Sequence, residues 1–503
     1  MCPLPRRAYH QASTASLWRP WEETGPYAER VAALLESARS HVVFTGWQID
    51  SRYPFRDSDG KTETLGAKLT RICRQNPDFR AYLLLWSHAS FYAFEREKFQ
   101  GKVWSRLHPR IHFVFDALHP LGASHHEKLI LIDGITAFCG GIDLCDRRLD
   151  YPEHHWHDVR RSLNLSSEKH GPYHDRGVEV QGDIVESLYH HVASRWSRAS
   201  SIPFPKPRFP APALRSTHPP QRPPPRSQAD PKPKRIYFSR TASYRPSSRQ
   251  RGSKKYSAIP GARRRRRLEI IKENERLHLT LIRQARTQIL IEGQYYWSKR
   301  INRALIRRIY QRSGTPFEII LILTDLTRLR ALTRQMAGHG YFLLSALQSA
   351  CENTGATLKV IHPLIRHPHA PSRFRPKPVY VHSKVLLVDD RYLSIGSTNI
   401  AARAFRVDSE VNLTWEAETE QEQRELRDFR QTVLEHWGLK ENATYPYHDY
   451  QEISPRVELS RWLRSHLVSP LIPWAFFFDP DEPWLRTLKR KLFQPLCTYF
   501  GQL

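Results

Sequence analysis

The chain has 503 residues, 40% hydrophobic and 11% aromatic, enough for several packed domains and too apolar for a wholly disordered protein. Its 78 lysines and arginines against 50 acids give a net charge of +28, and no run approaches the ~20 apolar residues that span a bilayer. The basic start, Met1 to Arg7, leads into no apolar stretch, so no secretory signal is indicated; six scattered cysteines without a CxxC pair read as reduced thiols.

After an N-terminal segment, 1–24, residues 25–202 read as a first α/β lobe. An amphipathic helix carries Val31, Leu34, Leu35 and Ala38 on one face, followed by strands Val42 to Trp47, Ala81 to Trp86 and Ile111 to Phe115. Residues 203–267 change character: 19 basic residues, one acid (Asp230) and 14 prolines mark a disordered basic linker with +18 of the charge. One short strand, Arg235 to Arg240, stands out within it. Residues 268–437 then repeat the first pattern, with Leu277, Leu281, Ile282 and Ala285 on a helix and strands Ile289 to Gly293, Glu318 to Leu323 and Leu358 to Ile361. The extension 438–503 has no counterpart in the first half. The fold class expected is α/β: two homologous lobes related by a pseudo-twofold, each a mixed central sheet flanked by helices.

The two halves register on one spaced triplet. His126-Glu127-Lys128 with Asp133, and His382-Ser383-Lys384 with Asp389, both read HxKxxxxD, and a glycine follows each Asp by seven residues (Gly140, Gly396). One match is weak evidence; two in parallel context are strong. Downstream stand Gly140-Gly141-Ile142-Asp143 and Gly396-Ser397-Thr398-Asn399. These duplicated motifs resemble the phospholipase D superfamily, and Ser124 to Lys128, Pro172-Tyr173-His174-Asp175 and Tyr380 to Lys384 resemble its phosphatidylcholine-cleaving branch. Glu292-Gly293-Gln294-Tyr295-Tyr296 resembles that branch's ENQYF segment, with Gly293 where asparagine is expected.

The residue types explain the chemistry. One imidazole attacks phosphorus while a second protonates the leaving alkoxide, and two halves each supply one. The single residue between His and Lys puts both side chains on one face of a strand, so Lys128 and Lys384 reach the phosphate oxygens. Ser397 and Asn399 are candidate phosphate donors, and Gly141 and Asp143 in the equivalent places make the pocket asymmetric. The resemblance implies that Asp175 supports His126 and Glu410 supports His382. It also implies that Asp133 and Asp389, although part of the catalytic motif, orient loops within each lobe, and that His126 is the nucleophile. His125 faces away and is structural. The run His154-His155-Trp156-His157 lacks helical ligand spacing and reads as a polar loop near the pocket mouth rather than a metal site. Trp47, Tyr295, Tyr296 and Trp297 suit either a lipid channel or the core.

The expected function is a phospholipase D: cleavage of a glycerophospholipid to phosphatidate and free headgroup through a phosphohistidine, with alcohol able to replace water. The alternatives are a cardiolipin synthase-type phosphatidyltransferase and a superfamily nuclease. The former usually carries membrane spans and GSxN after both motifs; against the latter, the charge lies mainly in the linker. A non-catalytic membrane-binding protein would tolerate loss of a motif residue, and all six are present. No cofactor or metal is expected, apart from a calcium effect on the lipid surface. A monomer is expected in the cytoplasm, peripherally attached to anionic membrane through residues 203–267.

Overall fold

A computed structural model describes residues 4–56, 60–87, 97–120, 122–162, 170–207, 209, 232–244, 269–325, 331–369, 375–439 and 448–458. Most of the basic segment, with Arg263 to Arg267, and the C-terminal extension beyond 458 lie outside the described residues. A seven-stranded sheet runs Leu17–Glu22, Arg176–Gln181, Thr136–Gly140, Leu129–Ile132, His41–Gly46, Arg80–Trp86, Ile111–Asp116. The last three strands are parallel to one another and the others antiparallel. The second sheet orders Lys234–Tyr244, Glu410–Glu416, Tyr392–Gly396, Lys384–Val388, Gln288–Gly293, Glu318–Leu323 and Thr357–Ile365 in the same sense, with its own parallel trio at the end. The central strand of each trio, Arg80–Trp86 and Glu318–Leu323, is a continuous apolar run buried on both faces after its first residue, as crossover connections require.

Both sheets are flanked by helices, among them Thr24–Ser37, Asp183–Ala199, Glu273–Gln284 and Glu420–His436. One apolar cluster draws on both sheets at once: Val43, Leu131 and Val180 from the first, Leu290, Leu387 and Leu413 from the second, with Val192 and Val433 from two of the helices. The halves therefore share a core, and at ~25 cal/mol per Å² of apolar surface that contact holds them as a unit.

Two expectations change. Inside the segment read as a linker, Lys234–Tyr244 is an eleven-residue strand paired on one side with Gln11–Ala15 and on the other with Glu410–Glu416. Its short buried stretch explains this: Ile236, Tyr237, Phe238 and Ser239 are all buried, while the basic residues flanking them are met by acids, Arg235 by Glu418 and Arg240 by Glu273. The N-terminal segment is also part of the fold, since Gln11–Ala15 joins the larger sheet and Leu17–Glu22 the smaller. His448–Glu452 adds an edge strand to Thr357–Ile365. Cys73, Cys139, Cys145 and Cys351 are buried free thiols. Among the described residues no helix is long and apolar enough to cross a membrane.

Candidate active site

The motif histidines lie just ahead of strands Leu129–Ile132 and Lys384–Val388, not on them, because each approach segment pairs with the other half. His126 N–H donates to Ser409 O and Ser409 N–H to Ser124 O, while the Asp408 carboxylate accepts from both the backbone and the hydroxyl of Ser124. The mirror arrangement runs Tyr173–His174 parallel to Tyr380–Val381, and His382 N–H donates to His174 O at 2.7 Å. These two exchanges bring the rings of His126 and His382 to 6.4 Å between centroids.

The same exchanges decide which carboxylate meets which histidine. His126 Nδ1 lies 3.0 Å from Glu410 Oε2, and His382 Nδ1 lies 2.7 Å from Asp175 Oδ2. The pairing expected from the sequence is thus crossed: Asp175 supports the second-half histidine and Glu410 the first. Each acid follows a segment hydrogen-bonded to the opposite motif, so proximity along the chain misleads. With Nδ1 bound to a carboxylate, Nε2 of each ring is left for chemistry.

The second partner of His126 Nδ1 is the Ser397 carbonyl at 3.1 Å, and His382 bonds the backbone of Gly141. Gly141 is required where it stands, because a Cβ there would sit 2.1 Å from Asp175 Oδ1. Ser397, expected on phosphate, instead turns its hydroxyl to Glu410 and so supports the carboxylate. The lysines differ as well. Lys128 Nζ is 3.1 Å from Asp143, whereas Lys384 shares its cavity wall with neutral Asn399 and with Gly293. Burial holds both imidazoles well below their usual range, reinforced by the neighbouring lysines, and pushes the Glu410 and Asp175 carboxyls up. Burial also lowers the Lys384 ammonium to about 7. An anion at the site restores its charge, so inhibition by inorganic sulfate, whose own charge is constant in this range, should weaken about tenfold per pH unit above 7 and stay level below it. An inhibition constant unchanged between pH 7 and 9 would count against Lys384 as the phosphate-binding cation.

Residues 279–433 match a family model described as "Cardiolipin synthase, PLD-like domain". The chain is 23% identical over 84% of its length to Phospholipase D A of Dictyostelium discoideum and 30% identical over 28% of it to human Phospholipase D1. Residues 279–433 are matched as a phospholipase D-like domain, and the chain's relatives are phospholipases D. The chain spans 36% and 14% of the lengths of those two relatives. The crystal structure of phosphatidylserine synthase from Haemophilus influenzae shares the fold, with a TM-score of 0.53 at 14% identity, covering 97% of this chain and 96% of that one.

Within this phospholipase D-like frame the motif aspartates stand apart from the reacting groups. Asp133 and Asp389 sit at positive φ in equivalent strand turns. Asp133 accepts from the backbone N–H groups of Arg39, Ser40 and His41, and Asp389 from those of Arg286, Thr287 and Gln288. Although they belong to the motif by spacing, they fix the start of a parallel strand. Asp133→Ala should lower stability by about 2–4 kcal/mol, read by thermal unfolding, with kcat of the folded enzyme kept. A loss of kcat at unchanged melting temperature would instead put Asp133 at the chemistry.

His125 bridges Ser409 Oγ and Asp116, a structural role. Tyr296 and Trp297 belong to the core, and Trp47 lies against Trp86. The polar-loop reading of His154 is overturned: it is fully buried among Glu23, Asp150, His174, His436 and His448, and only its neighbours His155 and His157 are exposed. Sequence reasoning missed Glu23, Asp150 and Arg176, which hold this interior; a buried histidine gives no signal of its own in a sequence. It also missed Glu292, which accepts from His174 and Arg176 behind Asp175, although the resemblance to ENQYF had marked that stretch. Arg148, another omission, lies over the Tyr173 ring and adds positive charge beside His382.

Proposed function

We propose that this chain is a phospholipase D-type phosphodiesterase acting on a glycerophospholipid. The observation that carries the reading is the facing pair of imidazoles, each backed by a carboxylate from the other half, with a lysine beside each. His126 Nε2 attacks phosphorus as its Nδ1–H is held by Glu410, which stabilises the imidazolium that forms. The P–O bond to the headgroup breaks and His382 supplies the proton to the leaving alkoxide. Burial alone would keep His382 neutral; the incoming phosphate anion and Asp175 favour its protonated form. Water then attacks the phosphohistidine, giving its proton to His382, and the P–N bond breaks to release phosphatidate. Lys128, Lys384 and Asn399 supply the charge and donors that the phosphate needs, so no divalent ion is required at the phosphorus.

The motif's two halves reading as homologous, pseudo-twofold-related lobes is supported by the matching strand order. The basic residues within 203–267 are proposed to attach the protein to anionic membrane from the cytoplasmic side, which salt should weaken.

A second reading is favoured by the description of the matching family model and by the phosphatidylserine synthase fold: the phosphatidyl group is passed to an alcohol rather than to water. One experiment tests both. Phosphatidylcholine vesicles are incubated with the protein, ethanol and a chelator. Phosphatidate with phosphatidylethanol supports the proposal, transfer without measurable hydrolysis favours the second reading, and neither product removes both. Complete loss of activity in chelator, restored on soluble substrate by calcium or magnesium, would contradict the metal-free mechanism.

A further inference from the structure

Behind the strand that carries His174, four side chains from four distant segments converge. Glu23 lies between Leu17–Glu22 and Thr24–Ser37, His154 in a loop, His174 in Tyr173–His174, and His436 at the end of Glu420–His436. All four are buried, and one ligand atom from each lies within 4.8 Å of the others. We propose that Glu23, His154, His174 and His436 form a structural binding site for a divalent transition-metal ion, with zinc the best match. This inference stands independently of the lipid reaction.

The surroundings are those of a metal centre. His154 Nδ1 is fixed by Asp150 at 2.9 Å and His174 Nε2 by Glu292 at 2.8 Å, so the remaining nitrogens, His154 Nε2 and His174 Nδ1, both turn to Glu23 Oε1. A ligating imidazole held through its other nitrogen by a carboxylate is the usual outer arrangement of a zinc site. His436 adds a third imidazole with ring centroids 5.4 Å from His154 and 5.5 Å from His174, its Nδ1 3.3 Å from Glu22. Three imidazoles and one carboxylate, closing to about 2.0–2.2 Å from the ion, suit tetrahedral zinc and leave no open position. Glu23 takes a positive φ of 65°, a conformation unusual outside glycine, which aims its carboxylate inward.

Charge balance agrees. Glu22, Glu23, Asp150 and Glu292 contribute four negative charges, while Arg161 and Arg176, bonded to Asp150, Glu22 and Glu292, contribute two positive ones. The two negative charges left over match one divalent ion, which would take up the lone pairs of His154 Nε2 and His174 Nδ1, any proton there being released to solvent. His174 O accepts from His382 N–H, and Asp175 follows directly, so the ion would brace the support of the second motif without touching substrate.

The test is metal analysis of the full chain produced with added zinc. About one zinc per chain is expected, retained in His126→Ala and His155→Ala and lost in His154→Ala and His436→Ala. Protein produced with cobalt instead should show the intense visible absorption of tetrahedral Co(II), a readout that needs no variant. Substoichiometric zinc together with absent tetrahedral cobalt bands would overturn the site, as would full zinc occupancy in folded His154→Ala/His436→Ala.

Discussion

Alanine at His126 or at His382 is expected to cut turnover by about a thousandfold or more while leaving the fold intact. The two rings lie 6.4 Å apart, and among the described residues each is the sole imidazole of its half at the facing pair. The fold should survive because the carboxylates left behind can shed their charge. Burial already pushes the Glu410 and Asp175 carboxyls up, so losing the histidine favours a neutral acid over a stranded anion. Ser397 still bonds Glu410, and the Arg176 N–H still bonds Asp175. His155→Ala, at an exposed position next to the buried cluster, should keep nearly full activity. His125→Ala differs from both, because loss of its contacts to Ser409 and Asp116 acts on stability. The measurement is kcat on phosphatidylcholine beside thermal unfolding of each variant. More than about a tenth of wild-type kcat in His126→Ala would remove it as nucleophile.

The strands on which this site rests were legible because parallel, doubly buried strands leave continuous apolar runs; Glu318–Leu323 is one such run after its first residue. The duplicated spacing likewise brought His126 and His382 into view together. What failed depended on contacts between segments far apart in the chain. Lys234–Tyr244 hides a short buried stretch, Ile236 to Ser239, inside a basic composition whose charges are met by Glu273 and Glu418. His154 resembles its exposed neighbours in sequence, and only the convergence of Glu23, Asp150 and His436 distinguishes it. The carboxylate pairing went wrong for a related reason: strand exchange between halves has no local signature.

That crossed pairing gives the second large effect. Glu410→Gln and Asp175→Asn should each lower turnover of a natural phospholipid by about 10²–10⁴, because a histidine without its carboxylate loses both tautomer control and stabilisation of its charged form. The two losses should differ in kind. Replacing the alkyl headgroup with p-nitrophenol, which leaves without needing a proton, should restore most of the first-step rate, read as the burst of p-nitrophenol before the phosphohistidine is hydrolysed, to any variant damaged at the general acid and little to one damaged at the nucleophile. If His382 is the acid, His382→Ala and Asp175→Asn recover together, because Asp175 lies 2.7 Å from His382 Nδ1. Glu410→Gln then stays slow on both substrates with His126→Ala, its partner at 3.0 Å. The grouping tests the pairing whichever histidine attacks, since exchanging their roles exchanges both groups together. Recovery of Glu410→Gln alongside His382→Ala, with Asp175→Asn remaining slow, would mean that the working pairs follow chain proximity and that the crossed contacts do not govern catalysis.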